Sequence, residues 1–342
     1  MIRKALLIAA VFIIGAYLLA QWGLRNSQEI EMTNIAGKGK NRILLTEKHN
    51  NIRGLSFSPD GRLLAAGSES GRIYMWQVLS GNRFAFKRYL NYGNAVTALC
   101  FSPDGKQLAV VGMGDVIIWD TAADKRIRVL KLSPTMNLWW KLAYSSDGRR
   151  LVLASRNDIL IYDLTGNGGL LEIHEEEHRF SGIAVSPDNK TLAVYYCKHN
   201  RALNNQDTMI NLYNIRNGRY IRTVWKRKAS ITTMASVAFS PDGSKLVAVP
   251  GGEDGILIFE VNKGWSLTSI PDMDFSGWLP ILFNSKGTLL AVGSGPFSIW
   301  NLPEGKIVYR NDKGRFKSEA LALAFSPDGE TVGVSQFGFY ER

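Results

Sequence analysis

Short apolar stretches of five or six residues recur along most of this chain, broken by compact polar turns. In one repeating pair, a half-apolar run such as Ile52, Leu55 and Phe57 leads into a turn. It is followed by a run apolar on both faces, such as Leu63-Leu-Ala-Ala-Gly67, Leu108-Ala-Val-Val-Gly112 or Leu151-Val-Leu-Ala-Ser155. Runs of this length with period two predict strands, and runs without a polar face predict strands buried between neighbouring sheets. A third run ends on an aromatic residue in six units: Trp76, Trp119, Tyr162, Tyr213, Phe259 and Trp300. A more polar fourth run follows, as in Arg83-Phe-Ala-Phe86, Arg126-Ile-Arg-Val129 and Tyr220-Ile-Arg-Thr223, which suits an outer edge facing water.

The turn between the first two runs is nearly invariant in kind. It reads Phe57-Ser-Pro-Asp-Gly61, Phe101-Ser-Pro-Asp-Gly105, Tyr144-Ser-Ser-Asp-Gly148, Val185-Ser-Pro-Asp-Asn189, Phe239-Ser-Pro-Asp-Gly243, Phe283-Asn-Ser-Lys-Gly287 and Phe325-Ser-Pro-Asp-Gly329. Pro presets φ, Asp can bond its own backbone, and Gly takes the left-handed position. Asn189 is the non-glycine residue best suited to that last place. The steps between leading residues are 44, 43, 41, 54, 44 and 42. A period near forty, opening on a hairpin, predicts small antiparallel sheets arranged radially.

These residues carry a family resemblance: the chain resembles a WD-repeat β-propeller over residues 43 to 342, with Trp119-Asp120 as its literal Trp-Asp pair. The fold expected is all-β, a seven-bladed β-propeller of four-stranded antiparallel blades. The family's Gly-His is nearly absent, with only His49 and His178 near its offset. Its second-turn Asp is matched by Asp254, and at comparable places by Asp115 and Asp158. With that polar network thinned, the blades are expected to depend on apolar packing. The resemblance also implies that second-to-third-strand loops share a partner-binding face with the interblade loops.

Ring closure is expected from the N-terminal side. The last unit ends at Arg342 without a fourth strand, and Arg42-Ile-Leu-Leu-Thr46 reads as an outer strand. Residues 42–48 are therefore expected to complete blade seven of a propeller spanning 42–342, removing an open edge.

Upstream, Arg3-Lys4 precede Ala5 to Trp22, a run with no charge. Eighteen residues of helix span roughly 27 Å, close to a hydrocarbon core of about 30 Å. Residues 1–22 are expected to be a transmembrane signal-anchor helix, and 23–41, rich in Asn, Gly, Ser and Glu, a flexible linker. Arg3 and Lys4 favour a cytoplasmic N-terminus and an exported propeller, in a periplasmic, extracellular or lumenal space. The alternative is a signal peptide, cleaved near Leu18-Leu-Ala20, and a secreted domain.

The 342 residues are 45% hydrophobic and carry a net charge of +11. Residues 1–42 hold six Lys/Arg and two Glu, which leaves +7 on the propeller, concentrated on the outer strands. A solvated rim and contact with an acidic partner or anionic lipid both fit. Nucleic acid is not expected as a partner, since no recognition helix or RNA-binding motif is present. The two cysteines, Cys100 and Cys197, fall in non-adjacent blades and are expected to be free thiols.

Candidate chemistry is sparse. His174-Glu-Glu-Glu-His178 has zinc-protease spacing, but that spacing works on a helix, and here it is expected in a loop between blades. No nucleotide loop, nucleophile elbow or suggestive carboxylate pair occurs. Neither catalytic residues, metal nor cofactor is expected.

The 54-residue step places extra chain between Tyr196 and Met209, read as a long loop. The face it shares is expected to carry Tyr92, Trp140, Lys198, His199, Arg201, Lys226, Arg227, Lys228 and Phe275, a basic and aromatic mixture of the kind that dominates binding hot spots. Trp139 and Trp278 are expected in the core. The function expected is a non-enzymatic, membrane-anchored scaffold docking a protein or peptide. The alternatives are an exported propeller that binds or turns over a small ligand at its central channel, and an electrostatic membrane-surface scaffold.

Overall fold

The computed structural model describes residues 28–35, 40–45, 51–80, 83–132, 141–155, 157–166, 168–175, 178–200, 205–229, 235–250, 254–271, 280–293, 297–311 and 320–336. Over these residues the chain forms seven four-stranded antiparallel sheets, and in six of them the strands follow one another from the inner to the outer edge. The expected seven-bladed all-β propeller is what the chain adopts.

Each blade starts from the same turn, and its hydrogen bonds explain the repeated phrase. In blade one, the Ser58 hydroxyl donates to Asp60 Oδ1 at 2.6 Å and accepts from the Leu63 N–H at 2.9 Å. Asp60 Oδ1 also accepts from the Arg62 N–H at 3.0 Å. Gly61 stands at φ +72°, the left-handed region where a Cβ is costly. The same bonds recur around Ser102, Ser145, Ser186, Ser240 and Ser326. Blade six reaches the same end with Asn284, whose Oδ1 accepts from both Thr288 N–H and Leu289 N–H at 2.9 Å. The divergent Phe283-Asn-Ser-Lys-Gly287 phrase thus keeps the function of the serine by other atoms.

Apolar packing joins the blades. Seven buried clusters are present, each drawn from two adjacent blades. All six third-strand aromatics are buried. At about 1.5–3 kcal/mol for each large apolar side chain withdrawn from water, these interfaces dominate the stability of the ring. Backbones approach closely where small residues permit it. A Cβ on Gly112 would stand 1.9 Å from the Ala95 carbonyl oxygen.

Closure differs from the expectation. Blade seven consists of Ala320–Phe325 inside, then Thr331–Gln336, then Gln28–Asn34, with Lys40–Leu45 outermost. The N-terminal side supplies two strands rather than one, and the expected linker over 23–41 contains the third strand of the blade. The cause is amphipathic alternation: Ile30 and Met32 are fully buried against blade one, alternating with Glu29 and Glu31. Ser335 also donates from its hydroxyl to the Ile52 carbonyl at 2.8 Å, across the seam.

The expected anchor helix over 1–22 lies outside the described residues. Among those residues no helix is long and apolar enough to cross a membrane.

Candidate functional site: the extended sheet of blade four

The extra residues of blade four that the structure describes are strand rather than loop. Its second, third and outer strands, Thr191–Asn200, Asn205–Asn214 and Tyr220–Ala229, each run ten residues, whereas the second strands of blades one, two and three run six. At roughly 3.3 Å per residue, the hairpin reaches about 13 Å beyond its neighbours. Pairing continues without a break to Asn200↔Asn205, with His199 opposite Gln206 and Lys198 opposite Asp207. The polar Asn205-Gln206-Asp207 stretch, expected as loop, is strand, because Asn205 pairs with Asn200 while Gln206 and Asp207 pair on both sides. On the far side, Asp207, Thr208 and Met209 stand opposite Lys228, Arg227 and Lys226.

A buried polar group anchors the base of this ribbon. Asn211, 5% exposed, donates from Nδ2 to the Tyr196 hydroxyl and accepts at Oδ1 from the Thr223 hydroxyl at 2.7 Å. The three elongated strands are thus cross-bonded by side chains, which favours one rigid sheet.

The basic side chains are partly compensated. Lys226 pairs with Asp207 at 3.0 Å, and Arg227 pairs with Asp254 on blade five. Both acids lie outside the expected site; Asp254 was legible only as a second-turn residue. Elsewhere on the rim the same device recurs. Arg88 of blade one pairs with Asp124 and donates to the Thr121 carbonyl at 3.1 Å, both in blade two. Arg126 donates to the Asn91 carbonyl at 2.6 Å, and its guanidinium stands 5.0 Å from the centre of the Trp119 ring. Arg128 reaches the Leu164 carbonyl at 3.2 Å. Part of the positive rim therefore works as struts between blades.

Of the nine candidate face residues, Lys198, His199, Lys226, Arg227 and Lys228 lie on this sheet, with Lys226 and Lys228 at alternate positions from Arg227 and hence on the other face. Tyr92 does not belong with them. It is 6% exposed, its hydroxyl donates to the Asp115 carbonyl at 2.6 Å, and burial pushes its pKa up to about 12. It is a packing residue. Trp140, Arg201 and Phe275 lie outside the described residues, as do Trp139 and Trp278.

His174 and His178 close one strand and open the next: blade three ends at Leu170–His174, and blade four begins at His178–Val185. His174 Nδ1 lies 2.5 Å from Asp158 Oδ1, so the apparent metal motif contributes a side-chain pair within blade three. Among the described residues no cluster of three metal-ligating side chains occurs. Cys100 and Cys197 are free. Burial raises their pKa values to about 12 and about 11, which keeps both as thiols at neutral pH.

Comparison with known proteins agrees with this architecture. The WD40 family (WD domain, G-beta repeat) matches residues 41–77 and 87–130. The chain is 32% identical over 81 residues to the small ribosomal subunit protein RACK1 of Medicago sativa, covering 24% of each chain. The corresponding soybean (Glycine max) protein is 31% identical over 93 residues, 27% of this chain and 28% of that one. Protein HIR1 of Candida albicans is 30% identical over 327 residues, 84% of this chain but 31% of HIR1. The matches to these three relatives thus span less than a third of each relative's own length. The repeat match and the seven four-stranded blades together support the WD-repeat family.

Proposed function

We propose that this chain, a seven-bladed propeller carrying WD40 repeats, is a non-enzymatic scaffold that docks an acidic protein or peptide on the extended sheet of blade four. The observation that carries the reading is the length of that sheet: three ten-residue strands project past the ring. A rigid ribbon of this kind presents side chains in fixed register, and it costs a partner less ordering entropy than a mobile loop. Lys226, Arg227 and Lys228 are exposed on its outer strand, which is the outermost of the sheet among the described residues and so placed for strand addition. The relatives support an interaction role, since RACK1 is named as a component of the small ribosomal subunit.

The uncharged run over residues 5–22 supports a membrane anchor, and Arg3 with Lys4 supports a propeller on the exported side. A C-terminal reporter active only outside the cytoplasm tests that orientation.

The docking face is tested by crosslinking and recovery from the native membrane fraction, comparing full-length protein with the Lys226→Glu, Lys228→Glu double variant. Arg227 is left in place so that its pair with Asp254 survives. Recovery of the principal partner should fall by about tenfold or more, as befits loss of charged contacts at a hot spot. Equal recovery of every partner rejects this face.

A further inference from the structure

At the seam between blades seven and one lies a cavity of about 220 Å³, lined by Phe57, Val78 and Phe84 of blade one, by Pro327 and Thr331 of blade seven, and by the turn carboxylates Asp60 and Asp328. It sits among the Ser-Pro-Asp-Gly turns, at the opposite strand ends from the blade-four hairpin, because successive antiparallel connections alternate ends. The site is thus separate from the docking sheet proposed above, and neither reading depends on the other.

We infer that this cavity is a receptor for a single basic side chain, an arginine above all, presented by a protein or peptide.

Size comes first. Pockets for drug-sized ligands and cofactors run from about 300 Å³ upward, so this volume suits one side chain better than a small-molecule cofactor. Shape is specific to this seam. Thr331 follows its turn serine by five residues, and blades one, two, three, five and six place Leu63, Gln107, Arg150, Lys245 and Leu289 there. The smaller threonine leaves room. Blade four also has a threonine, Thr191, but at its junction with blade five Trp265 packs on Phe239 with ring centres 6.5 Å apart. The corresponding pair here is the less bulky Phe57 and Phe84, 6.4 Å apart and tilted by 52°.

Chemistry decides the class of ligand. Two phenyl rings and a proline make an apolar wall on which a guanidinium can lie, and cations are drawn to aromatic faces. Each carboxylate already commits one oxygen to its own turn. Asp60 Oδ1 accepts from Ser58 and Arg62 N–H, and Asp328 Oδ1 from Ser326 and Glu330 N–H. That leaves Oδ2 of each outside the turn bonds; the Arg62 guanidinium approaches Asp60 Oδ2 only at 3.9 Å, from a largely exposed position. A separate sign is Thr331 itself. It is 1% exposed, it lines the cavity, and its hydroxyl oxygen has no hydrogen-bond partner among the described residues. A buried hydroxyl left in that state is destabilising, and a donor entering the cavity would relieve it. An acidic, aromatic recess on a chain of net charge +11 selects cations against the general field of the molecule.

The test uses the full-length protein in detergent, titrated with the blocked peptide acetyl-Gly-Arg-Gly-amide and followed by calorimetry. The same peptide with citrulline in place of arginine serves as the neutral isostere. Arginine peptide should bind about tenfold or more tightly than citrulline peptide, with a salt-dependent affinity. Asp60→Asn with Asp328→Asn keeps the oxygen that each turn requires and should abolish that preference. Thr331→Leu copies blades one and six, fills the cavity, and should remove binding while the melting temperature holds or rises. No binding of the arginine peptide, equal binding of the citrulline peptide, or unchanged binding in either variant overturns the assignment.

Discussion

Asn189 of blade four accepts a hydrogen bond from the backbone N–H of Ser146 in blade three, with 2.7 Å between Oδ1 and N. It does so from a left-handed backbone, φ +57°. One side chain therefore meets two demands, tolerating the turn and tying two blades together. Glycine holds the same place elsewhere, and a Cβ added to Gly105 or Gly243 would meet the preceding blade's proline, Pro59 or Pro187, at 3.4 or 3.5 Å.

Replacing Asn189 separates the two demands. Asn189→Gly keeps the backbone relaxed and loses the bond, for about 0.5–1.5 kcal/mol. Asn189→Ala loses the bond and adds left-handed strain of about 1–2 kcal/mol. Thermal melts should rank wild type above Gly and Gly above Ala. An alanine variant as stable as the glycine one would refute the strain.

Asp60, Asp104 and Asp242 are held below the ordinary carboxyl value of 3.8, chiefly by the hydrogen bond from the serine of each turn. A depressed folded pKa contributes stability that is complete above the unfolded value and is lost as pH falls through the folded one. The melting temperature should stay level from neutrality to about pH 5 and decline below about pH 4. Ser240→Ala should bring the Asp242 carboxyl back up toward its ordinary value in an NMR titration. It also leaves the Lys245 N–H without its acceptor, at a cost of about 1–3 kcal/mol. An unmoved Asp242 titration would count against the serine as the cause.

Ile30 is fully buried in the strand that blade seven takes from the N-terminal side. Ile30→Ala should destabilise the ring by about 2–5 kcal/mol, the cost of removing a fully buried side chain from the seam cluster. Deletion of residues 28–34 should be more damaging than deletion of 40–45, because it exposes the edge of Thr331–Gln336 and strips the third strand from the blade. Denaturant melts of the three variants check the order. An Ile30→Ala midpoint equal to wild type would place that strand elsewhere.

With Cys197 buried, Cys100 half-buried and both thiols protonated, the two should resist a disulfide reagent in the folded protein at neutral pH and react together on unfolding. Rapid labelling of either one before unfolding would contradict its burial.

What local sequence determined is the blade. Ser, Asp and Gly at fixed offsets specify a turn whose hydrogen bonds all lie within six residues. Apolar second strands starting opposite a third-strand aromatic, as Leu64 stands opposite Trp76, specify a sheet covered on both faces. Such interactions are close in the chain, so residue type alone encodes them. Repetition then made the ring legible.

Tertiary structure decided the rest, because it depends on partners far apart in sequence. Glu29-Ile30-Glu31-Met32 reads as polar linker until Thr331–Gln336, some three hundred positions away, pairs with it and blade one covers Ile30 and Met32. Gln206-Asp207 reads as loop until two strands pair its backbone. The seam cavity exists only where Phe57 and Phe84 meet the small side chain of Thr331. None of those three residues is unusual alone; the space between them is a property of the closed ring.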